Sequence, residues 1–105
     1  MTIDNLFAAM TDPNRRKLLE TLRGGRRSAG ELAARFAISP PAVSQHLRVL
    51  LDAGLVGVEK RKTSRIYYLR KEGFSELQGY LDSFWDDRLW LPKSLAEEEV
   101  RSSRD

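Results

Sequence analysis

Helix-capping signals punctuate the first half of this chain so closely that only short helices fit there. Asp12-Pro13 is a start signal: the carboxylate can accept from free backbone N–H groups, and proline suits a first position that needs no donor. Gly24-Gly25 is a stop. Ser28-Ala29-Gly30-Glu31 has the spacing of a capping box, in which the serine hydroxyl and the glutamate carboxylate each serve the other's backbone. Ser39-Pro40 opens another helix, and Gly54 terminates it.

Apolar periodicity fills the intervals. Leu6, Phe7 and Met10 form a first short stripe. Leu18, Leu19 and Leu22, then Leu32 and Phe36, then Val43, Leu47, Leu50 and Leu51 recur at helical spacing. Ala37-Ile38 is the turn between the third and fourth helices. After Gly54 the pattern changes: residues 55–61 and 65–69 read as two strands joined by Lys62-Thr63-Ser64, a hairpin. A last helix begins near Glu72, carries Leu77, Leu81, Phe84 and Trp85 in one stripe with Tyr80 at its edge, and is expected to end at Pro92. The expected fold class is mainly α with a small β-hairpin, in the order α-α-α-α-β-β-α, which is the winged helix-turn-helix plan. Residues 1–92 are expected to form one domain, and residues 93–105 a polar tail that is disordered or a frayed helix.

Composition narrows the chemistry. The chain has 105 residues, enough for one domain with a modest core. No apolar run approaches the roughly 18 residues a membrane helix needs. The N-terminus lacks the basic start and apolar stretch of a secretory signal, so the expected location is the cytoplasm. Cysteine is absent, which removes disulfides, thiolate metal sites and cysteine nucleophiles. There is a single histidine, His46, with no second histidine or thiol to help it hold a metal. No nucleophile–base pair or phosphate loop is legible. No catalytic site, metal site or cofactor is therefore expected.

The net charge of +3 is unevenly spread: residues 1–81 hold 14 Lys/Arg against 8 Asp/Glu, and residues 82–105 hold 4 against 7. The basic part contains the helix-turn-helix and the hairpin, an asymmetry suited to a polyanionic partner.

The fourth helix has two contrasting faces. With Val43 at zero, Leu47, Leu50 and Leu51 fall within about 80° of it, while Pro41, Ser44, Gln45 and Arg48 lie opposite. Glutamine can read adenine bidentately, arginine can read guanine, and serine can bond to a base edge or a phosphate. His46 lies at the border between core and surface. The hairpin tip is densely basic, with Lys60, Arg61, Lys62 and Arg65, as phosphate or minor-groove contact requires. The candidate DNA-binding residues are Ser39, Pro41, Ser44, Gln45, His46, Arg48, Lys62, Ser64 and Arg65. Tyr67 and Tyr68 are expected to point to opposite faces of their strand.

Four segments resemble the ArsR-type winged-helix repressors. They are Leu6 to Arg16, Ser28 to Ser39, Pro40 to Leu50 continued by Ala53-Gly54-Leu55-Val56, and Arg65-Ile66-Tyr67-Tyr68-Leu69. The third, which is similar to that family's recognition helix, is the most specific. The resemblance spans roughly residues 5–90. It implies a repressor that acts by occluding its operator, and a homodimer joined through the first and last helices. Leu6, Phe7, Met10, Leu77, Leu81, Phe84 and Trp85 would supply that interface. A two-fold dimer would meet a near-palindromic site in duplex DNA, with half-sites about one helical turn apart. The Phe84-Trp85-Asp86-Asp87-Arg88-Leu89 run resembles a branch of the family without metal ligands, so metal sensing is not expected. A small-molecule or protein effector, or none, fits this reading.

Two other classes compete. A winged-helix protein-interaction module without sequence-specific DNA binding would not need the basic wing or the polar helix face that this chain keeps. An enzyme would need a constellation that the sequence does not display.

Overall fold

The computed structural model describes residues 2–85. In chain order these form α1 (Ile3–Met10), α2 (Pro13–Arg23), β1 (Arg27–Ser28), α3 (Ala29–Ala34), α4 (Pro40–Ala53), β2 (Val56–Arg61), β3 (Ser64–Leu69) and α5 (Lys71–Asp82), followed by a 3-10 turn at Ser83–Trp85. The expected mainly helical winged helix-turn-helix is present, with one more strand than the sequence disclosed. The expected helix end at Pro92 and the tail of residues 93–105 lie outside the described residues.

The caps act as their residue types dictate. Asp12 Oδ1 accepts from the N–H groups of Asn14 at 2.7 Å and Arg15 at 3.3 Å. Ser28 and Glu31 close a reciprocal capping box, with Glu31 N–H to Ser28 Oγ at 3.1 Å and Ser28 N–H to Glu31 Oε1 at 2.8 Å. Ser39 Oγ accepts from Ala42 at 3.3 Å. Each such cap stabilises its helix by about 1 kcal/mol. Gly54 ends α4 in the left-handed region at φ 83°, where a side chain would clash with the backbone.

The sheet has the order β1-β3-β2. The β2–β3 register pairs Val56 with Leu69 and Arg61 with Ser64, so the hairpin loop is Lys62-Thr63 alone and Ser64 belongs to the strand. Among the described non-glycine residues only Lys62 has positive φ, at 56°. Positive φ at the first loop residue alone is the pattern of a type II′ turn, whose twist suits a two-residue hairpin. The additional strand, β1, is two residues long and pairs Arg27 with Tyr67 and Ser28 with Ile66. Its brevity leaves no period-2 pattern to read. Ser28 is therefore both the last residue of β1 and the N-cap of α3.

The core is a single cluster drawn from every helix and from the hairpin. Leu6, Leu18, Leu32, Val43, Leu47, Leu50, Leu55 and Val56 are fully buried. Each of these leucines contributes roughly 1.5–3 kcal/mol by leaving water. Tyr67 points into this core, while Tyr68 on the opposite face lies under the Arg26 guanidinium, 4.4 Å from ring centroid to Cζ.

Candidate nucleic-acid interface

The core residues of α4 fix the orientation of its other face. With Val43, Leu47 and Leu50 buried beneath, Pro41, Ser44, Gln45 and Arg48 are exposed on the outside. A groove between α4 and the wing is lined by Ala29, Ser44, Gln45, Arg48, Leu51, Arg65 and Tyr67. The fold thus brings Ser44, Gln45 and Arg48 of the helix together with Arg65 of β3. Arg48 also faces Asp52 at 3.4 Å, but both side chains are about seven-tenths exposed. An exposed i,i+4 pair contributes only about 0.3–0.5 kcal/mol and yields readily to a base or phosphate.

The other candidates sit around this groove. Ser39 is exposed at the N-terminus of α4, and Pro41 two residues further on its outer face. Lys62 occupies the hairpin loop, with Ser64 beside it at the start of β3, both exposed. His46 is only half-exposed and is turned toward α2, with Nδ1 3.2 Å from Arg15 Nη1 and Nε2 4.0 Å from Asp12 Oδ1. No local pattern marks Arg15 as its neighbour, because the two positions are far apart in the chain.

The wing's electrostatics depend on pairing. Lys60 and Arg65 stand directly opposite each other across the β2–β3 ladder. Like charges in that position repel, so the hairpin carries a small destabilisation that a polyanion would relieve. Arg61 is held by Glu59, with Nε donating to Oε2 at 2.6 Å, and Arg26 reaches the same carboxylate at 4.0 Å. The hydrogen bond and charge of Arg61, with help from Arg26, hold the Glu59 carboxyl below the ordinary range against the opposing effect of burial. Among the described residues Lys60, Lys62 and Arg65 have no acidic partner within ion-pair distance, and they carry the wing's available positive charge.

The apolar residues expected at a dimer interface divide into two groups. Leu6 is fully buried and Leu77 nearly so, and both close the core of the single chain. Met10 is half-buried against that core. Phe7, Leu81, Phe84 and Trp85 are exposed, at 39%, 39%, 62% and 54%. Tyr80 joins them: its ring meets Phe7 edge-on at 5.5 Å and Phe84 at 5.1 Å, linking α1 to the end of α5 in one aromatic surface. Phe84 and Trp85 lie on the 3-10 turn that follows α5, so the stripe is not one continuous α-helical face.

Comparison with known proteins places this geometry among transcription regulators. The family model for the bacterial regulatory proteins of the arsR family matches residues 12–58, from the cap of α2 into β2. The chain is 43% identical over 96 residues to the HTH-type transcriptional regulator Rv2034 of Mycobacterium tuberculosis, covering 91% of this chain and 90% of that protein. It is 44% identical over 66 residues to the transcriptional repressor SdpR of Bacillus subtilis, covering 63% and 72%. Among solved structures, an ArsR-like transcriptional regulator from Rhodococcus sp. RHA1 superposes with a TM-score of 0.72 at 30% identity, over 83% of this chain and 85% of that one. The transcriptional repressor BigR from Xylella fastidiosa superposes with a TM-score of 0.62 at 30% identity, over 80% and 86%.

Proposed function

The chain belongs to the ArsR family of bacterial regulatory proteins, and we propose that it represses transcription as a metal-independent homodimer bound to a near-palindromic operator. The observation that carries this reading is the shared groove of Ser44, Gln45, Arg48 and Arg65. It joins groups suited to base edges on a rigid helix with groups suited to phosphates on the adjoining wing. A DNA-binding repressor needs both, and an interaction module needs neither.

Dimerisation is supported by the linked and exposed rings of Phe7, Tyr80 and Phe84, with Leu81 and Trp85 exposed next to them in the chain. Ser39, Lys62 and Ser64 extend the reading surface to neighbouring phosphates, and Pro41 adds an apolar contact on the outer face of α4. Metal independence is proposed from the chain's lack of cysteine and from its single histidine. Repression follows from occlusion of the operator. A small-molecule or protein effector would relieve it only by favouring a dimer geometry with lower DNA affinity. The relatives are transcription regulators, and a non-enzymatic role in the cytoplasm accords with them.

Selection of short duplexes from a genomic library by the purified chain, at near-physiological salt, tests the proposal. An enriched near-palindrome is expected. Binding without enrichment, which vanishes as salt rises, would leave only phosphate contact and favour the interaction module.

A further inference from the structure

Arg15 joins the first helix to the reading helix. Its Nε donates to the Ala9 carbonyl at 2.8 Å and its Nη2 to the Ala8 carbonyl at 3.2 Å, closing the C-terminal end of α1. Its third contact is Nη1 to His46 Nδ1 at 3.2 Å, on the second turn of α4. A guanidinium has donors and no acceptor, so the imidazole Nδ1 must accept. The ring proton then sits on Nε2, which faces Asp12 Oδ1 at 4.0 Å. Asp12 is itself held by the backbone of Asn14 and Arg15 as the cap of α2. Among the described residues, Asp12 and Arg15 are the charged side chains in ion-pair or hydrogen-bond contact with His46. Three helices therefore meet at one polar node: the end of α1, the start of α2 and the flank of α4.

The remaining anchorage of α4 is apolar, through Val43, Leu47 and Leu50. Such contacts hold the helix on the core without direction, whereas a hydrogen bond fixes an angle. Gln45 precedes His46 in the chain, and Arg48 follows two residues later. Rotation of α4 about its axis would move both across the DNA groove. We infer that Arg15 is a positioning residue for operator reading: acting through a neutral, Nε2-protonated His46, it sets the rotation of α4 relative to α1. The inference rests on the DNA-binding reading above and assigns His46 to this node rather than to a base edge. It also gives α1, part of the proposed dimer surface, a direct polar connection to the reading helix.

His46 is the chain's single histidine, so its imidazole nitrogens can be observed without ambiguity by long-range 15N–1H NMR of the intact protein. The native ring is expected to show an unprotonated accepting Nδ1 and a protonated Nε2, and Arg15→Gln is expected to mix the tautomers. An Nδ1-protonated native ring would overturn the inference. The second measurement is a double-mutant cycle on affinity for the selected operator and for random duplex. His46→Leu and Arg15→Gln are each expected to weaken operator binding by about tenfold, as loss of a charge-assisted hydrogen bond does. The pair together should lose no more than either alone, with random duplex unaffected. His46→Asn, whose amide oxygen takes the place of Nδ1, should restore most of the affinity. Additive losses, or an Asn variant as weak as the Leu variant, would show that His46 acts on DNA directly. If the native chain selects no operator, the DNA reading has failed, and the tautomer still decides whether the node exists.

Discussion

Gly73 of α5 packs so tightly on Gly54 that a Cβ at position 73 would sit 2.4 Å from the Gly54 carbonyl oxygen. The obstacle is backbone at the end of the recognition helix, which cannot swing aside as a side-chain tip would. Gly73→Ala is expected to destabilise the fold by about 1–3 kcal/mol, the usual range for overpacking. Gly30→Ala in α3 meets nothing closer than Ser28 Oγ at 3.9 Å, and is expected to gain roughly 0.5–1 kcal/mol of stability. Urea unfolding of the two variants against the parent chain should give opposite signs.

On the proposed reading, base recognition and phosphate contact are expected to separate by residue. Gln45→Ala or Arg48→Ala should shift base preference by about 1–3 kcal/mol at one position of each half-site. Arg65→Ala should weaken all duplexes more evenly and reduce the salt slope by about one. Competition binding across a panel of operator variants at several salt concentrations checks both. An equal loss on operator and random DNA for Gln45→Ala would remove it from the reading set.

Lys62 holds a backbone conformation that glycine adopts more easily, at φ 56°. Lys62→Gly is expected to raise folding stability by about 1 kcal/mol, the lower end of the left-handed penalty for a side chain. The same change removes a wing cation, so duplex affinity at low salt should fall. Thermal unfolding and DNA titration of this one variant should move in opposite directions.

Three carboxyls are held below their ordinary range in the folded chain. At Asp12 burial acts against the charge, but is outweighed by the backbone N–H groups of Asn14 and Arg15 together with the neighbouring Arg15 charge. At Glu31 the Ser28 backbone and hydroxyl dominate, and at Glu59 it is Arg61. Their contribution to stability is complete above the unfolded carboxylate range and is lost as pH falls through the lower folded values. Urea midpoints measured from pH 7 to pH 3 should decline on the acid side, and Glu31→Gln should flatten that decline.

The aromatic surface gives a direct test of assembly. Phe84→Glu places a charge against Tyr80 in the aromatic chain that runs on to Phe7, and Leu81→Glu places one on the exposed end of α5. Sedimentation equilibrium should show each variant shifted from dimer toward monomer, with circular dichroism unchanged because both side chains are exposed. A parent chain that sediments as a monomer at all concentrations would remove dimerisation from the proposal.

The legible parts of this fold were those written locally. Asp12-Pro13, the Ser28–Glu31 box, Ser39-Pro40 and Gly54 act within a single turn of chain, and the structure uses each as its chemistry dictates. The polar face of α4 was legible for the same reason, since helical spacing alone sets Gln45 and Arg48 opposite Val43. What was not legible depends on distant partners. β1 exists because Arg27 and Ser28 meet Tyr67 and Ile66 across the fold, and two residues carry no periodic signal. Helical spacing puts His46 only at the border of α4, and it takes the fold to bring Arg15 beside it. Leu6 and Phe7 are neighbours in one apolar stripe, yet only packing separates the buried residue from the exposed one.

The strand order β1-β3-β2 leaves β3 paired on both sides, while among the described residues nothing pairs with the outer side of β2. A bare edge of six residues would ordinarily recruit the edge of another copy and begin an aggregate. Here the consecutive Glu59, Lys60 and Arg61 are exposed along that edge. A second β2 paired beside the first would bring two Lys60–Arg61 pairs close together, and such charged side chains, lysine above all, blunt edge-to-edge pairing. The residues that make the wing attractive to a polyanion thus also disfavour growth of the sheet at this edge.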